Sequence, residues 1–207
     1  MPNSIIIKNG GEGIYEEKKS RFIARAYRVD TEKEANEYIE AARKKYWDAR
    51  HNCYAFVIGA NSEVTRCSDD GEPSGTAGKP ILEVISGMGI YNCLVIVTRY
   101  FGGTLLGTGG LVRAYTKACK DALLDSELKK VVNGERYIVD TEYSYVGRIQ
   151  RLAEEYEATI TDTMYMENVS FTIDIEAGNN FSKAVIEGTN GKATVRKDCD
   201  LLIEVNV

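Results

Sequence analysis

The chain has 207 residues, of which 43% are hydrophobic and 28% are charged, and its formal net charge is −5. This length suits one large domain or two small ones, and the composition excludes a chain that is disordered throughout. No run of about 18 apolar residues occurs, so we expect no membrane-spanning helix and no membrane partner. Residues 1–8 lack the charged-then-apolar layout of a signal peptide, and we therefore expect a cytoplasmic protein.

Charge is distributed unevenly along the chain. Residues 1–130 hold 19 Lys and Arg against 17 Asp and Glu, a net charge of +2, whereas residues 131–207 hold 7 against 14, a net charge of −7. A surface that binds nucleic acid would therefore be a local patch on the first part of the chain. The acidic second part is a candidate for contact with a protein partner.

Strand and helix signals alternate along residues 1–130 and predict a first domain of mixed character. The apolar run from Cys93 to Val97 is typical of a strand that is buried on both faces, and Thr31 with Glu34 forms a capping-box pair before an amphipathic stretch. The predicted elements are two strands within residues 13–29 around a turn at 18–20, a helix at about 31–46, strands at 52–58 and 64–67, a loop at 68–78, a short helix from about 80, a strand at 92–99 and a helix from 111 to about 126.

A domain boundary is predicted near residues 129–134, where Asn133 and Gly134 form a turn signal. Residues 131–207 then predict a strand at 136–143, a helix at 145–156, strands at 158–166 and 168–176, a helix at about 180–188 and strand signals at 193–207. The order βαββαβ is a ferredoxin-like arrangement. The predicted fold class is therefore α+β, with two domains.

The segment from Arg99 to Arg113 follows the apolar strand, precedes a helix and holds five glycines. Glycine permits a positive φ and the close approach of a ligand, and unpaired amides at the helix start would face outward with the positive end of the helix dipole. The alternative is a tight connection whose glycines only permit close packing. The predicted phosphate-binding residues are Lys79, Arg99, Gly102, Gly103, Gly107, Gly109, Gly110 and Arg113.

A second loop carries three carboxylates, from Asp69, Asp70 and Glu72, followed by Ser74 and Thr76. These oxygens would suit a Mg²⁺ ion held through water. They would equally suit ion pairs with the two arginines of the glycine-rich segment, and we favour this ion-pair or turn-forming role. We therefore predict no definite metal site, and the pattern requires no cofactor.

His51 is the single histidine, which excludes a zinc site built on two histidines. His51 and Cys53 share a strand face at a separation of about 6–7 Å, too far for direct proton transfer, so a Cys53 nucleophile is disfavoured. We favour a structural histidine that is hydrogen-bonded beside the loops, with Arg50 and His51 as alternative cleft contacts. The sequence assigns no catalytic residue, and the five cysteines, which form no CxxC pair, are expected to be reduced thiols.

Basic residues cluster on the first hairpin and at the end of the first helix. A solvated surface is the simplest interpretation, and a patch that follows an RNA backbone, with aromatic side chains for stacking, is the alternative. The basic residues are Lys18, Lys19, Arg21, Arg25, Arg28, Arg43, Lys44 and Lys45, and the aromatic residues are Tyr27, Tyr46, Trp47, Tyr100 and Phe101.

Four blocks in order, KSRFI, DARHNC, SDDGEPSGTAG and VTRYFGG with LGTGGLVRAY, resemble the YigZ/IMPACT family over about residues 10–127. The second half resembles the C-terminal domain of bacterial YigZ-type members. The resemblance implies that the first domain adopts the fold of the second domain of small-subunit ribosomal protein five, which is also that of elongation factor G domain IV. It implies that the second domain is similar to domain V of that factor.

The resemblance also implies a function, because eukaryotic IMPACT proteins are translational regulators. The leading hypothesis is a non-catalytic, translation-associated regulatory protein that binds RNA or the ribosome through the glycine-rich cleft. The alternatives are an enzyme acting on a small phosphorylated or nucleotide substrate, and a protein-interaction adaptor that works through the ferredoxin-like domain. The family motif positions matched here are Arg21, His51, Asp69, Asp70, Glu72, Thr76, Arg99, Gly102, Gly103, Gly107, Gly110 and Arg113.

Overall fold

The computed structural model describes residues 4–207, so residues 1–3 of the N-terminal segment considered above lie outside it. The described residues form ten β-strands and five α-helices, a mixed α+β architecture. They divide into two compact units: the first contains the described residues up to Lys130 together with residues 206–207, and the second is Val131–Val205. Among the helices described, none is long and apolar enough to cross a membrane.

The first unit contains six strands, three helices and the beginning of a seventh strand. Its strand β1 has no counterpart among the predicted elements, and it pairs antiparallel with the first residues of β7. Thr31 caps α1 as predicted, since its hydroxyl accepts a hydrogen bond from the Glu34 amide at 3.2 Å. The elements are β1 (Ile5–Asn9), β2 (Glu12–Glu17), β3 (Ser20–Arg28), α1 (Glu32–Lys45), β4 (His51–Ile58), β5 (Val64–Ser68), α2 (Gly78–Gly87), β6 (Cys93–Tyr100), α3 (Gly107–Asp125) and β7 (Glu127–Thr141).

Strand β6 lies at the centre of a five-stranded antiparallel sheet in the order β2-β3-β6-β4-β5. Cys93, Val95 and Val97 point into a core formed with α2 and α3, whereas Leu94 and Ile96 point into a core formed with α1. The apolar run is therefore buried on both faces, as its composition predicted. At the end of β6 the register places Arg99 opposite His51 of β4, and this pairing locates the candidate site.

Helix α3 begins at Gly107, four residues before the start predicted at residue 111. Gly107, Gly109 and Gly110 therefore belong to the first helical turn and not to a loop. The sequence pattern missed them because glycine is a poor helix former. Tertiary packing overrides that preference, since the buried face of α3, which includes Leu111 and Tyr115, is held in the first core.

The second unit contains the rest of β7, a 3₁₀ turn and a strand–helix–strand–strand–helix–strand order. Its strands lie in the order β10-β7-β9-β8. Phe171, Ile173 and Ile175 of β9 pack with α4 and α5, while Ser170 and Thr172 alternate with them on the other face. The elements after β7 are the 3₁₀ turn Tyr143–Tyr145, α4 (Val146–Glu155), β8 (Thr159–Tyr165), β9 (Val169–Glu176), α5 (Phe181–Gly188) and β10 (Thr194–Asn206).

The turn predicted at Asn133 and Gly134 is wrong, because both residues lie inside β7, which runs continuously from Glu127. Gly134 pairs in register with Glu176 of β9. A Cβ atom on Gly134 would lie 2.7 Å from the Ile203 Cγ2 atom. The glycine therefore serves the close approach of a neighbouring side chain and not a reversal of the chain.

Candidate functional site

A cleft of about 330 Å³ opens in the first unit beside the ends of β4 and β6. The loop after β5 forms one wall, and the segment between β6 and α3 forms the other. The residues that line it are Arg50, His51, Gly71, Glu72, Pro73, Arg99, Phe101, Leu105, Leu106, Gly107, Thr108 and Leu111. The two loops singled out from the sequence therefore meet at one place.

A buried ion pair forms the floor of this cleft. The Arg99 Nη1 atom lies 2.6 Å from the Glu72 Oε1 atom, and the two residues are only 5% and 8% exposed. The guanidinium also lies over the rings of Phe22 and Phe101, at 5.3 and 5.6 Å from their centroids. Such a pair is costly to break, because the remaining charge would be buried without a partner.

Glu72 is the centre of a small polar network. Its Oε1 atom also accepts a hydrogen bond from the Tyr115 hydroxyl at 2.8 Å, and burial together with these neighbours raises the pKa of Tyr115. Behind it, Cys53 donates its thiol to the Asp69 carbonyl at 3.0 Å. Burial raises the pKa of the Cys53 thiol, so Cys53 stays protonated and is a poor nucleophile.

His51 is held in one orientation by the backbone. Its Nδ1 atom lies 2.8 Å from the Asp70 carbonyl oxygen, and because a carbonyl only accepts, Nδ1 carries the proton. The Nε2 atom lies 3.9 Å from Glu72 Oε1 at the cleft wall. The structural role favoured from the sequence and a cleft contact therefore coexist in this side chain.

Asp69 uses its carboxylate to close the start of α2. It accepts hydrogen bonds from the amides of Gly75, Ala77 and Gly78 at 2.8–2.9 Å. Partial burial opposes its ionisation, but these three amides outweigh burial and hold the pKa of Asp69 below its ordinary value. The N-terminus of α2 is thus already occupied by an anion from the chain itself.

Asp70 also has a structural role. It accepts from the Asn52 amide at 2.7 Å and from Arg43 at 3.3 Å. No group of three or more metal-ligating side chains gathers anywhere in residues 4–207. Of the two roles considered for the acidic loop, the structure contains the ion pair of Glu72 with Arg99 and the turn-forming bonds of Asp69 and Asp70.

The N-terminus of α3, by contrast, is uncapped. No side chain caps it, its first turn holds no acidic residue, and Gly107 and Thr108 line the cleft. Gly103 and Gly107 adopt φ values of +86° and +73°, and a Cβ atom on either would meet no neighbour within 4 Å. These two glycines are therefore needed for backbone conformation and leave the approach to the helix amides open.

Gly102 differs from the other glycines of this segment. A Cβ atom there would lie 2.0 Å from the Lys19 carbonyl carbon, and its amide donates to the Ser20 hydroxyl at 3.1 Å. Gly102 therefore permits close packing of two backbones. The packing interpretation that the sequence left open therefore applies at Gly102, whereas Gly103 and Gly107 have open space beside their backbone.

Two cations and one carboxylate line the cleft, from Arg50, Arg99 and Glu72. The Arg50 guanidinium lies 5.5 Å above the Phe101 ring, and its side chain is exposed. The Arg99 Nε atom is buried and has no hydrogen-bond partner among the described residues. The cleft therefore carries a net positive charge and the positive end of a helix dipole.

The structure does not bring every predicted residue into this cleft. Arg113 is exposed on α3 and does not line the cleft, although its guanidinium lies beside the first turn of that helix, 3.7 Å from where a Cβ atom on Gly109 would stand. Arg99 lines the cleft and is paired with Glu72. Lys79 lies 3.9 Å from Glu83, and Arg21 lies 3.8 Å from Glu16. The Thr76 hydroxyl donates to the Pro73 carbonyl.

Tyr115 and Leu105 are residues of the site that the sequence did not single out. Tyr115 is fully buried and follows Leu111 by one helical turn, so its position on the buried face of α3 was predictable. Its hydrogen bond to Glu72 was not, because it joins residues 43 positions apart. Leu105 is 82% exposed, and its place at the cleft depends on the loop conformation.

Two family profiles match the chain. The Impact N-terminal domain matches residues 18–123, and a domain of unknown function, DUF1949, matches residues 139–192. The first match covers the whole cleft, and the second lies within the second unit.

Individual relatives are similar over most of the chain. The IMPACT family member YvyE of Bacillus subtilis is 39% identical, covering 92% of this chain and 89% of its own, and the IMPACT family member YigZ of Escherichia coli is 36% identical, covering 86% and 89%. Protein IMPACT of Mus musculus is 39% identical over 67 residues, which is 20% of its length. A crystal structure described as that of a hypothetical protein covers 94% of this chain and 97% of its own, with 34% identity and a TM-score of 0.59.

Proposed function

Because the chain belongs to the IMPACT family, we propose that it is a translation-associated regulatory protein of the cytoplasm that binds RNA or the ribosome through the cleft of its first unit. The observation that carries the proposal is the uncapped N-terminus of α3, which opens into a cleft with a net positive charge. Such a helix terminus is a ready site for a phosphate group.

The proposed fold relationships support this role. We propose that the first unit corresponds to the second domain of small-subunit ribosomal protein five and to elongation factor G domain IV. The strand order β10-β7-β9-β8 of the second unit supports its correspondence to a ferredoxin-like domain and to domain V of that factor. Fold alone does not assign function, so the cleft remains the main argument.

In the proposed complex, a backbone phosphate accepts hydrogen bonds from the amides of the first turn of α3. Thr108 and Gly109 are exposed there, and Arg50 at the cleft wall supplies a mobile positive charge. Arg99 has a different part: its charge is balanced by Glu72, so it contributes mainly a rigid floor. This division replaces the pair of arginine ligands that the sequence suggested.

Exposed aromatic side chains of the first unit would stack on unpaired bases. Phe101 is 38% exposed under the Arg50 guanidinium, and Trp47, three residues before Arg50, is 83% exposed. Stacking on such side chains contributes about 1–3 kcal/mol per base and tolerates any sequence. The proposed RNA is therefore single-stranded and bound without strong sequence preference.

The test is a substitution that adds a carboxylate where the phosphate would bind. Gly109 has a negative φ, and a Cβ atom there would meet only the Arg113 side chain, at 3.7 Å, so Gly109→Asp fits the fold. The new carboxylate would stabilise the helix dipole and repel a phosphate. We expect single-stranded RNA affinity to fall about ten-fold, while the melting temperature stays equal or rises.

Gly109→Asn is the matched control, since it adds the same volume without charge. Filter binding with a single-stranded RNA over a salt series measures both variants. Arg50→Ala should in addition reduce the slope of log K against log salt by about 0.7, the loss of one phosphate contact on a single strand. Equal RNA affinity of the Asp and Asn variants would overturn the proposal.

A second candidate is an enzyme that acts on a small phosphorylated or nucleotide substrate. The observation that favours it is His51, whose ring is held at the wall of the same cleft by the contact of Nδ1 with the Asp70 carbonyl. Thermal-shift measurements with nucleotides and Mg²⁺ distinguish the two functions. Stabilisation by a mononucleotide that is lost in His51→Ala, together with absent RNA binding, would favour the enzyme.

A further inference from the structure

The two oxygen atoms of the Glu72 carboxylate have different surroundings. The Oε1 atom lies 2.6 Å from Arg99 Nη1, accepts from the Tyr115 hydroxyl at 2.8 Å and lies 3.9 Å from His51 Nε2. Among residues 4–207, no group donates a hydrogen bond to the Oε2 atom. The hydrogen bonds of this carboxylate within the described chain therefore all go to one oxygen.

The second oxygen of Glu72 keeps access to the cleft. The Glu72 side chain is only 3% exposed, and the residue lines the cleft. Within the described residues, the fully buried side-chain nitrogen and oxygen atoms without a partner are Arg99 Nε and Thr141 Oγ1, so Glu72 Oε2 is not sealed in the interior. A nearly buried carboxylate needs hydrogen-bond donors for both oxygens, because it has lost most of its hydration. A ligand in the cleft can supply the missing donor as an N–H or O–H group.

Charge favours a neutral donor at this position. Arg99 balances the Glu72 charge, and Arg50 adds a second cation at the wall of the cleft. A positively charged ligand would therefore meet net positive surroundings. An uncharged N–H group, such as the imide or amide group of a nucleobase, meets no such repulsion.

The walls of the cleft favour a flat base over a sugar. Ribose hydroxyl groups would lose water against apolar side chains, whereas a base gains free energy when its faces are buried. The volume of about 330 Å³ has room for one base, since a cavity of about 150 Å³ holds a benzene ring. The apolar lining residues are Pro73, Phe101, Leu105, Leu106 and Leu111.

We propose that the cleft receives one unstacked nucleobase of an RNA strand, whose N–H group donates to Glu72 Oε2 while a phosphate of the strand lies at the N-terminus of α3. This inference rests on the proposed function, because it places a base of the same RNA in the same cleft.

The contact with Glu72 would select an unpaired strand and not a particular base. Each of the four common bases carries an N–H donor on the edge that it uses for pairing, and a single-stranded segment leaves this edge free. One available oxygen accepts one such donor. A base that is already paired in a duplex has no free donor there, so the contact excludes double-stranded RNA.

The experiment compares three oligonucleotides of equal length on the unmodified chain: oligouridine, oligo(3-methyluridine) and oligo(5-methyluridine). A methyl group at position 3 of the base removes the N–H donor, whereas a methyl group at position 5 adds the same volume and keeps the donor. Filter binding over a salt series measures the affinities. We expect the 3-methyl strand to bind about ten-fold or more weakly than the 5-methyl strand, from the loss of one hydrogen bond to a charged acceptor. The slopes of log K against log salt should agree, because the phosphate contacts are the same.

Glu72→Gln tests the same contact from the protein side. The amide oxygen can still accept from Arg99 and Tyr115, while the NH₂ group would face the base and repel its N–H donor. We expect the affinity ratio of the 5-methyl strand to the 3-methyl strand to fall toward one. Glu83→Gln, at an exposed residue of α2, is the matched control and should keep the ratio. Thermal denaturation checks that both variants are folded, and the comparison of strands on the unmodified chain needs neither variant.

Free nucleotides distinguish an RNA strand from a small ligand as the source of the base. We expect uridine 5′-monophosphate to displace oligouridine only at concentrations far above those at which the strand itself binds, and its 3-methyl form to displace it less. Binding of the monophosphate that depends on the N–H donor, without binding of oligouridine, would overturn the strand as the source of the base.

The remaining outcomes separate this inference from the proposed function. Equal affinity of the two methylated strands would overturn the inference and leave RNA binding by the cleft standing. Failure of all three strands to bind would overturn both. An equal fall of the affinity ratio in Glu83→Gln would overturn the assignment of the contact to Glu72.

Discussion

The sheets of the two units are covered differently. In the first unit, helices pack on both faces of the sheet, so that β6 contributes to two cores. In the second unit, α4 and α5 pack with one face, and the other carries Ser170, Thr172 and charged neighbours. When both faces of a sheet are covered by helices, a ligand can reach only the strand ends and the connecting loops. The cleft of the first unit lies at such strand ends. On the face of the second sheet that these helices leave uncovered, the Arg136 side chain is 34% exposed, whereas that of Asp174 is only 11% exposed.

The same contrast applies to ion pairs. Arg99 and Glu72 of the first unit form a buried pair with side chains 6% and 3% exposed. Arg136 and Asp174 of the second unit form a two-pronged pair at 2.6 and 2.7 Å on the open face, where the Arg136 side chain is 34% exposed. The geometry is better in the second unit, but the first pair has far less access to water. We therefore expect burial, more than hydrogen-bond geometry, to determine how much stability is lost when one partner of each pair is removed.

The largest effect is expected for Glu72→Ala, which leaves the Arg99 charge and the Tyr115 hydroxyl buried without their partner. We expect a loss of about 3–5 kcal/mol in the free energy of unfolding. Urea denaturation measures it, and Asp174→Ala is the matched variant of the second unit, with a smaller expected loss. An equal or larger loss of stability in Asp174→Ala would show that burial does not determine the difference between the two ion pairs.

The second prediction contrasts two glycines. A Cβ atom on Gly102 would meet the Lys19 backbone at 2.0 Å, whereas one on Gly134 would first meet the Ile203 side chain, at 2.7 Å. Because a side chain can rotate away more easily than a backbone can move, Gly102→Ala should cost about 1–3 kcal/mol of stability and more than Gly134→Ala. Gly109→Ala is the control and should be neutral or stabilising by about 0.5–1 kcal/mol, since alanine has a higher helix propensity than glycine. Thermal denaturation of the three variants checks the order.

The smallest expected effect is the change with salt concentration in the pKa values of two carboxyl groups, one in each unit. Backbone amides lower the pKa of Asp69, while Lys197, with Tyr137, lowers the pKa of Glu135. A lowered folded-state pKa means that Asp69 stabilises the fold above about pH 4 and that this contribution disappears as the pH falls through the folded value. Salt screens an exposed charge more than an amide contact.

Carboxyl NMR titrations at low and high ionic strength test this difference. We expect the pKa of Asp69 to remain below its ordinary value at both, and that of Glu135 to rise toward its ordinary value at high salt. Asp69→Asn, which keeps one accepting oxygen for the α2 amides, should reduce the acid sensitivity of stability. A parallel shift of both carboxyl groups with salt would contradict the assignment of causes.

Local patterns predicted much of the fold. The apolar run of β6, the Thr31 cap of α1 and the order of elements in the second unit are visible in short windows of sequence. The wrong or missing predictions concern residues whose conformation depends on contacts with distant parts of the chain. Gly134 resembles a turn residue in the sequence, but in the structure it accommodates the Ile203 side chain within a strand. Strand β1 forms by pairing with β7, which begins more than a hundred residues later in the chain.

For the candidate site, the sequence indicated which loops matter but not what their side chains do. It singled out the acidic loop and the glycine-rich segment, and both line the cleft. It did not reveal that Glu72 neutralises Arg99, that Arg113 faces solvent, or that Asp69 closes α2. It also gave no sign that Met164 and Met166 would be exposed, because exposure is a property of the folded surface.

By itself, the sequence determined the family, the alternation of strands and helices and the opposite charge of the two halves. These follow from composition and from periodicities of a few residues, which need no partner. Only the tertiary structure decided which charges are paired, which helix terminus is free and which apolar side chains remain in water. Those properties depend on long-range contacts, because burial and electrostatic pairing exist only once distant segments meet.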